Sequence, residues 1–515
     1  MENSEQTSTP AEIVTPEMST TDAPNDMVAT PECAEPEVER EQMEFDVVIV
    51  GGGPAGLAAA IRLRQLAIAA GKDEFSVCVV EKGSEFGAHT LSGAVMEPRA
   101  LTELIPDWKE KGAPLNVATK GDRVYMLKNA TKARQLPESI VPSLMHNHGN
   151  YIVSLGNVVR WMATQAEELE VMMFPGFSAS DVLYNDDGSV KGVLTGDMGV
   201  NAKGEAKHSF EAGYELLAKY TIFAEGCRGH LGKRLISRFG LDAGKDPQHY
   251  GIGLKELWEI DPAKHDEGMV LHGSGWPLSE TGTGGGWWLY FDEANQVSFG
   301  MVIDLAYDNP YLSPFDELQR LKTHPLISNI LTGGKRLSYG ARALTKGGLN
   351  SLPKLGFAGG VLIGDEAGFL NPAKIKGSHT AIKSGMLAAE AIFEAINAGR
   401  QHDEVTQYEQ SVNSSWLYED MHGARNFSTA MHRMGIWMGG AFNFVEQNLF
   451  KGKMPLTIHD NIPDYAMMER ADHAFKPDYL KPDGKLTFDK LSSVFISNTN
   501  LAEDQPCHLK LTDPN

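Results

Sequence analysis

Residues 45–82 read FDVVIVGGGPAGLAAAIRLRQLAIAAGKDEFSVCVVEK, with three glycines between two apolar stretches. The apolar run Val47–Val50 predicts a buried strand, the alanine-rich stretch after the glycines predicts a helix, and a second apolar run predicts a strand ending at Glu81. Strand, helix and strand in this order form a βαβ unit, from which parallel sheets are built. We therefore predict an α/β fold that begins with a nucleotide-binding unit.

The glycines of this unit have the GxGxxG spacing of dinucleotide-binding proteins. The first glycine allows a tight turn, the second lets pyrophosphate approach the backbone, and the third lets helix and strand pack closely. A proline in the first helical turn loses no hydrogen bond, because the N–H groups there have no partner within the helix. The acid at the end of the second strand can accept hydrogen bonds from both ribose hydroxyls. The residues expected to bind a dinucleotide here are Gly51, Gly53, Pro54, Ala55, Gly56 and Glu81.

Two later strands indicate which dinucleotide is bound. YTIFAEGCRG at 220–229 is an apolar strand that breaks at Gly226, and GGVLIGDEAG at 359–368 is another that breaks at Gly364 and Asp365. A Gly-Asp pair this far along the chain resembles the second fingerprint of FAD proteins, in which the aspartate holds the ribityl chain. FAD is therefore the expected cofactor. No second nucleotide motif follows, so no NAD(P)H domain is expected.

Residues 371–399 predict a loop and then a helix that begins near Ser378. The N–H groups that follow Gly377 would carry partial positive charge. Aimed at the pyrimidine edge of a flavin, they would stabilise a reduced, anionic ring. For Lys374 and Lys376 in the loop, a role at the site and a merely solvated position remain equally open.

The charge of the chain is concentrated at its start. The formal net charge is −22, and residues 1–44 hold twelve Asp and Glu against one basic residue, Arg40. Nucleic acid is not an expected partner of such a chain. Residues 1–43 are rich in Pro, Thr, Ser and Glu and lack an apolar period, which predicts a disordered acidic tail. The tail resembles neither a mitochondrial presequence nor a secretory signal, so a cytoplasmic bacterial protein is expected.

The four cysteines, Cys33, Cys78, Cys227 and Cys507, include no CxxC pair. Their spacing therefore predicts neither a disulfide framework nor a local metal site. We expect all four to be free thiols.

Two further stretches have unusual composition. GTGGGWWLY at 282–290 sets glycines beside tryptophans, either so that a flat apolar ligand can lie against the backbone or as a kinked strand with tryptophans in the core. MGIWMGGAFNFV at 434–445 has no charge and is too short to span a bilayer. It predicts either an interfacial helix at a membrane surface or a buried core helix.

Several longer motifs resemble one family. They are GAHTLSGAVMEPRAL (87–101), DWKEKGAPL (107–115), NHGNYIVSLGNVVRWMATQAEELEV (147–171), GWPL (275–278) and KIKGSHTAIKSGMLAAE (374–390). With them, the chain from about residue 45 to its end resembles the electron transfer flavoprotein-ubiquinone oxidoreductases. The resemblance implies a monotopic enzyme that takes electrons from reduced electron transfer flavoprotein, through FAD and a 4Fe-4S cluster, to ubiquinone. It would lie peripherally on the cytoplasmic face of the bacterial inner membrane.

The resemblance also implies a quinone contact. In that family a glycine pair before an aromatic residue and Leu-Tyr contacts the quinone, and the matching residues here are Gly285 and Gly286. Gly284 and Trp287 depart from the pattern, because an aromatic and a small residue are expected there. No catalytic side chain is assigned.

The expected architecture is an FAD-binding Rossmann-like domain of the glutathione-reductase type, with an inserted α+β quinone-binding domain and the start of a C-terminal ferredoxin-like domain. We expect the FAD domain at 44–104, 150–240 and 345–400 and the quinone domain at 105–149 and 241–344. Residues 401–515 would hold a membrane-contact helix and the approach to the cluster domain. A 4Fe-4S cluster needs four thiolates. Cys507 aligns with none of the family's ligands, so the chain is expected to stop before them and no metal-binding residue is assigned.

Two other classes of function are consistent with a flavin site. One is a flavin enzyme like the geranylgeranyl reductases, or like the nitrogen-fixation flavoproteins that pair with a separate ferredoxin. The other is a flavin-stabilised scaffold without catalysis. Reduced electron transfer flavoprotein should bleach the flavin only if the chain is an electron transfer flavoprotein-ubiquinone oxidoreductase. The flavin of a scaffold should not turn over with any donor.

Overall fold

The computed structural model describes residues 39–90, 93–499 and 501–506, and the described residues from Arg40 onward form one compact unit. The strands are β1 (Gln42–Val50), β2 (Val77–Glu81), β3 (Ala94–Met96), β4 (Val117–Ala118), β5 (Gly121–Leu127), β6 (Ala133–Gln135), β7 (Tyr151–Val153), β8 (Met172–Pro175), β9 (Ala179–Tyr184), β10 (Val190–Thr195), β11 (Met198–Val200), β12 (Ala206–Glu211), β13 (Glu215–Phe223), β14 (Tyr250–Glu259), β15 (Met269–Gly275), β16 (Gly285–Phe291), β17 (Gln296–Asp304), β18 (Lys335–Thr345), β19 (Gly356–Phe357) and β20 (Gly360–Leu362). The helices are α1 (Pro54–Ala69), α2 (Arg99–Leu104), α3 (Leu155–Glu168), α4 (His230–Phe239), α5 (Pro314–Lys322), α6 (Pro325–Leu331), α7 (Gly364–Ala367), α8 (Ser378–Asn397), α9 (Thr406–Asn413), α10 (Trp416–Gly423), α11 (Phe427–Phe444) and α12 (Lys490–Phe495).

β1, α1 and β2 form the βαβ unit that the sequence predicts. β1 pairs in parallel with β2 on one side and with β13 on the other, within the parallel order β20-β13-β1-β2-β8. β9 and β10 extend this sheet from β13 by antiparallel pairing, and β19 pairs antiparallel with β20. Val47–Val50 are buried, as expected for a strand with both faces covered. The carboxyl ends of the parallel strands therefore meet at one edge, where α/β proteins place their ligands.

β1 begins before its apolar run. Gln42 already pairs with Glu215 of β13, so the strand extends to residues 42 and 43 of the segment expected to be a tail. The predicted disorder of residues 1–38 lies outside the described residues.

α8 begins at Ser378, as predicted, and packs on α1. A Cβ atom added to Gly385 would lie 2.3 Å from the carbonyl oxygen of Ala55. Only glycine fits at such a helix contact. The small residues of the two helices thus bring α8 close to the first nucleotide-binding turn.

The second sheet has seven strands in the order β18-β14-β17-β16-β15-β5-β6, and all pairs are antiparallel except β15 with β5. Leu289, Phe299 and Leu318 belong to the apolar core that joins this sheet to α5 and α6. Trp288 and Tyr290 instead contact the small sheet β3-β7-β4. One face of the seven-stranded sheet is therefore directed toward the nucleotide-binding half of the molecule.

A buried charge cluster anchors α12 and the segment before it to the seven-stranded sheet. Lys322 Nζ lies 2.9 Å from Oε1 and 2.9 Å from Oε2 of Glu256, and Arg336 Nη1 lies 3.2 Å from Oε1. The Arg336 guanidinium also lies 3.6 Å from the ring centroid of Phe488 and donates to Ser493 Oγ at 2.8 Å. Burial lowers the pKa of Lys322 to about 8, although Glu256 acts in the opposite direction.

Candidate functional site

The turn between β1 and α1 leaves open space beside Gly53. A Cβ atom added to Gly51 would lie 2.3 Å from the carbonyl oxygen of Ala224, and one added to Gly56 would lie 2.0 Å from that of Gly51. A Cβ atom on Gly53 would meet no atom within 4 Å. Gly51 and Gly56 are thus required by packing of the chain. Gly53, directly before Pro54 at the N-terminus of α1, borders a space where phosphate groups can approach free N–H groups.

Glu81 is held beside this turn by the backbone. Its Oε2 accepts a hydrogen bond from the N–H of Gly52 at 3.0 Å, and its Oε1 accepts one from the N–H of Gly83 at 2.7 Å. A carboxylate has lone pairs for further donors. Glu81 can therefore accept hydrogen bonds from a ribose while its orientation is fixed.

The later glycines reach the same edge of the sheet. A Cβ atom on Gly226 would meet no atom within 4 Å, whereas one on Gly364 would lie 2.7 Å from Cβ of Ala55. Asp365 accepts a hydrogen bond from Thr345 Oγ1, and burial raises the pKa of Asp365 to about 6. Gly226 thus borders open space, and Gly364 is needed for packing on α1. The carboxyl group of Asp365 is oriented by its hydrogen bond with Thr345.

The loop before α8 is folded inward. Lys374 Nζ lies 2.8 Å from Glu97 Oε2 and 2.6 Å from Asp420 Oδ1. Lys376 is buried, and burial lowers its pKa to about 8. The interpretation of these lysines as part of a solvated loop is therefore wrong. Gly377 follows them and immediately precedes the first residue of α8.

The tryptophans of GTGGGWWLY are core residues. Trp287 and Trp288 are both buried. A Cβ atom added to Gly273 would lie 2.4 Å from the Trp287 ring, and one added to Gly300 would lie 2.3 Å from the Trp288 ring. These tryptophan rings therefore occupy the space that side chains at Gly273 and Gly300 would need. The alternative of a strand with its tryptophans in the core is confirmed for this part of the stretch.

The glycine pair before the tryptophans begins β16. A Cβ atom on Gly285 would lie 2.3 Å from the carbonyl oxygen of Val302 and 2.7 Å from Leu278 Cδ1. On Gly286 it would approach only the carbonyl group of Gly273, with the oxygen at 2.9 Å. Gly285 also has a φ of +144°, which side chains rarely adopt. Gly286 therefore has more room for a ligand than Gly285.

Gly286 lies on the sheet face that is directed toward the nucleotide cleft. The strand register places Gly286 opposite Val302, Val302 opposite Gly253, and Gly253 opposite Arg342. Residues directly opposite each other share one face of a sheet, so these four form a row across it. Arg342, at the end of this row, also acts through its charge on Asp365. The row therefore extends across the sheet from Gly286 toward the carboxyl group of Asp365.

Arg342 is a candidate that the sequence did not reveal. Its side chain is exposed. Its positive charge acts to lower the pKa values of Asp365, Cys227 and His89, which belong to three different segments. An arginine in this position can bind phosphate oxygens of a nucleotide. No motif surrounds it, and only the register of β14 and β18 places it over the cleft.

α11 folds back on itself at Gly435. This residue has φ 70° and ψ 176°, which is not helical. A Cβ atom on Gly439 would lie 2.5 Å from the carbonyl oxygen of Ala430. Nine residues of a straight helix would span about 13 Å. α11 is therefore a helical hairpin, with Gly435 at its turn.

The hairpin and the turn that follows expose apolar side chains and bury polar ones. Trp437 is 77% exposed, Met438 66% and Leu449 71%, whereas Asn443 is 1% and Glu446 0% exposed. A core helix would have the opposite distribution, so the interpretation of residues 434–445 as a buried core helix is wrong. Within the described ranges, no helix is long and apolar enough to cross a membrane.

Cys78 is buried and Cys227 half-buried, and both are free, as predicted. Burial raises the pKa of the Cys227 thiol to about 12. The described part of the chain contains no group of His, Cys, Asp and Glu that could hold a metal ion. Because a 4Fe-4S cluster needs four thiolates, Cys78 and Cys227 alone do not fit one. Cys33 and Cys507 lie outside the described residues.

Family models match three parts of the chain. A NAD(P)-binding Rossmann-like domain matches residues 49–108, the ubiquinone-binding domain of ETF-QO matches 250–344, and the 4Fe-4S domain of electron transfer flavoprotein-ubiquinone oxidoreductase matches 484–515. Among solved structures, a geranylgeranyl bacteriochlorophyll reductase-like protein from Thermoplasma acidophilum has a TM-score of 0.59 at 18% identity, covering 83% of this chain and 95% of that one. This likeness shows a shared fold.

Whole-chain relatives are much closer in sequence. The chain is 63% identical over 494 residues to the probable electron transfer flavoprotein-ubiquinone oxidoreductase of Acinetobacter baylyi, covering 92% of this chain and 86% of that protein. It is 61% identical over 478 residues to the electron transfer flavoprotein-ubiquinone oxidoreductase of Pseudomonas aeruginosa, with the same two coverages of 92% and 86%. The chain therefore belongs to the electron transfer flavoprotein-ubiquinone oxidoreductase family.

Proposed function

We propose that the protein binds FAD in the cleft described above and passes electrons from reduced electron transfer flavoprotein to ubiquinone. The observation that carries this proposal is the row of residues that connects the two candidate sites. Gly286, within the segment that matches the ubiquinone-binding family model, shares a sheet face with Arg342, whose charge acts on Asp365. Bound FAD would supply the two-electron carrier between donor and quinone.

The residues of the cleft would hold and orient FAD. Gly53 and the N-terminus of α1 would take the pyrophosphate, and Arg342 would add positive charge. Glu81 would bind the adenosine ribose and Asp365 the ribityl chain. The open space at Gly53 supports this assignment, because a small addition there meets no protein atom. Further contacts are assigned to Gly51, Pro54, Ala55, Gly56, Gly226, Gly364 and Gly377.

The quinone would lie against the start of β16. Gly285 and Gly286 would present bare backbone to its ring, and the room at Gly286 supports this role for the second glycine in particular.

The α11 hairpin would contact the membrane that contains ubiquinone. Exposed Trp and Met over buried polar residues are typical of a segment that lies in the headgroup region. The net charge of −22 gives no attraction to anionic lipid, so apolar burial would drive insertion. We propose a peripheral position on the cytoplasmic face of the bacterial inner membrane. We also propose that the discontinuous FAD domain, the quinone domain and the C-terminal region have the residue bounds that the sequence predicts.

Separate half-reactions test the function. Reduced electron transfer flavoprotein should reduce the bound flavin under anaerobic conditions, and ubiquinone should then reoxidise it. A reduced ferredoxin should be a poor donor under this proposal and the preferred donor for a flavin reductase of the geranylgeranyl reductase or nitrogen-fixation type. Flavin that is reduced by ferredoxin alone would contradict the proposal.

A further inference from the structure

Two acidic side chains meet beside the candidate flavin site. Glu225 lies just after the end of β13 and directly precedes Gly226. Glu366 lies on α7 and directly follows Asp365. Neither acid belongs to the residues assigned to FAD. We refer to Glu225 and Glu366 as the acid pair.

The carboxyl groups of the acid pair come together at the start of α4. A Cβ atom on Gly229 would lie 2.3 Å from Glu366 Oε2 and 2.6 Å from Glu225 Oε2, so these two oxygens approach the same point. A Cβ atom on Gly232 would lie 1.6 Å from Glu366 Oε1. The carboxyl group of Glu366 therefore fills space that the two glycines of α4 leave free.

The two acids differ in their partners. Glu225 Oε2 accepts a hydrogen bond from the N–H of Gly232 at 2.9 Å, and its Oε1 lies 3.3 Å from Nδ1 of His230. Glu366 is buried. Among the residues that the structure describes, its Oε2 has no hydrogen-bond partner, and no basic side chain forms an ion pair with it. A buried carboxylate without a cation is costly, and a neighbouring carboxylate adds to the cost. This geometry favours a protonated Glu366 beside a charged Glu225.

The acid pair is next to the strand ends that border the candidate FAD site. A Cβ atom on Gly51 would lie 3.3 Å from the backbone nitrogen of Glu225. Gly226 borders open space, and Asp365 immediately precedes Glu366. FAD brings a negatively charged diphosphate to this edge of the sheet, and like charges repel strongly where water is excluded. A second carboxylate charge in the acid pair would therefore oppose the binding of FAD.

We propose that the protein binds FAD together with a proton on Glu366. This inference rests on the proposed function, because it concerns the FAD site described there. When Glu366 is neutral, the acid pair has one negative charge. When Glu366 loses its proton to solvent, its new charge repels both Glu225 and the diphosphate. FAD then binds more weakly, and binding at alkaline pH takes up a proton from solvent.

The charges that act on Glu366 agree with this role. Burial and the charge of Glu225 raise the pKa of Glu366 well above its ordinary value, and the charge of Asp365 acts in the same direction. The backbone N–H of Glu225 and the charge of Lys233 act in the opposite direction and do not outweigh burial. Glu366 therefore loses its proton at a higher pH than an exposed glutamate does.

Three other titratable groups are close to the acid pair. Burial raises the pKa of Asp365 to about 6 and that of the Cys227 thiol to about 12. The hydrogen bond with Glu225 raises the pKa of His230 above its ordinary value. Between pH about 7 and pH about 9, Asp365 thus stays charged and Cys227 stays neutral. His230 is present in wild type and in a Glu366 variant alike, so a comparison of the two isolates Glu366.

The test is the pH dependence of the Kd for FAD in wild type and Glu366→Gln, measured from the fluorescence of FAD that the holoprotein releases on dilution. In wild type, the Kd should rise by up to about tenfold per pH unit above pH about 7, because one proton is linked to binding. Glutamine has a similar size and no proton to lose. Glu366→Gln should therefore have a nearly constant Kd and bind FAD more tightly than wild type at pH about 9.

The matched control is Glu85→Gln. Glu85 is 62% exposed on the loop after β2, where it pairs with Arg160. This variant removes one carboxylate outside the acid pair, so its Kd should have the pH dependence of wild type.

Calorimetry gives a second measurement that needs no variant. FAD is added to the wild-type chain, from which flavin has been removed, at pH about 8.5 in buffers of different ionisation enthalpy. Binding should take up as much as about one proton per FAD.

The possible outcomes separate the role of Glu366 from a structural one. A rise of the wild-type Kd with pH that Glu366→Gln abolishes would support the inference. An equal rise in both proteins would overturn it, and so would a variant that binds more weakly at every pH. If Glu366→Gln does not fold, calorimetry decides, and binding without proton uptake would overturn the inference. A wild-type chain that binds no FAD at any pH would instead contradict the proposed function.

Discussion

Gly53 and Gly56 are three residues apart, but a methyl group would have opposite effects at the two positions. At Gly53 it would meet no protein atom, whereas at Gly56 it would lie 2.0 Å from a backbone oxygen. We expect Gly53→Ala to keep the thermal stability of the apoprotein and to weaken FAD binding about tenfold or more. We expect Gly56→Ala to lower the free energy of unfolding by about 1–3 kcal/mol. Flavin titration and thermal unfolding of both apoproteins check this. Equal loss of stability in the two variants would contradict the assignment of Gly53.

Single residues differ in how far the sequence predicts them. The positions of Gly51, Gly53 and Glu81 around one turn could be predicted, because they depend on local spacing along one βαβ unit. Arg342 could not, because its position over the cleft follows from the register of two strands some ninety residues apart. The inward position of Lys374 was missed for the same reason, since its partners Glu97 and Asp420 are distant in sequence.

The α11 hairpin exposes Trp437, whose side chain is 77% exposed. Trp437→Glu should lower binding to vesicles of bacterial phospholipids about tenfold, because a charge replaces an aromatic ring that would otherwise be buried in the interface. The matched control is Leu491→Glu on α12, since Leu491 is also highly exposed, at 84%. Sedimentation with vesicles measures both. Equal losses in the two variants would show that exposed apolar area in general, and not the hairpin, accounts for binding.

Lys322 and Glu256 form the buried ion pair under α12. Lys322→Ala removes the only partner that contacts both oxygens of Glu256 among the described residues and leaves a buried carboxylate. Arg336 still neutralises this carboxylate, so we expect the free energy of unfolding to fall by about 1.5–3 kcal/mol, the effect of losing charge-assisted hydrogen bonds. Lys490→Ala, which removes an exposed pair with Asp316, should change it by less than about 1 kcal/mol. Denaturant unfolding compares the two, and similar small effects would contradict a structural role for the buried pair.

Elements could be predicted where one pattern dominates. The strand, helix and strand of the first unit are strongly periodic, and the helix start at Ser378 was correct. For residues 434–445, an apolar run without charge suits both a core helix and an interfacial one. Only the burial of Asn443 and Glu446 beside exposed Trp437 distinguishes the two. GTGGGWWLY was ambiguous because glycine can make room either for a ligand or for the neighbouring tryptophan rings.

The whole molecule should respond to pH through His249. Its pKa is raised in the folded protein, although burial acts against this, so its contribution to stability is full below the ordinary value of about 6.5. The contribution is lost as the pH rises through the folded pKa. The difference in free energy of unfolding between wild type and His249→Gln should therefore shrink from acid to alkaline pH. Urea unfolding at several pH values measures it, and a difference that grows with pH would contradict the assignment.

The overall fold could be predicted only partly from the sequence. The α/β fold, with a nucleotide-binding unit and a second domain for the quinone, followed from motifs and from family resemblance. The connection from Gly286 through Arg342 to Asp365 could not be derived from residues so far apart, because it depends on strand register and on how the seven-stranded sheet packs on the rest of the molecule.

Electrons from the donor should reach ubiquinone through the flavin, and turnover on membranes measures that transfer. The flavin-loaded protein should be bound to vesicles that contain ubiquinone and mixed anaerobically with reduced electron transfer flavoprotein. We predict one ubiquinol for every two electrons that the donor loses, and no ubiquinol from the Gly53→Ala variant when its flavin has been lost. Ubiquinol formation that is equally fast without bound flavin, or a reduced flavin that never transfers its electrons to ubiquinone, would contradict the account.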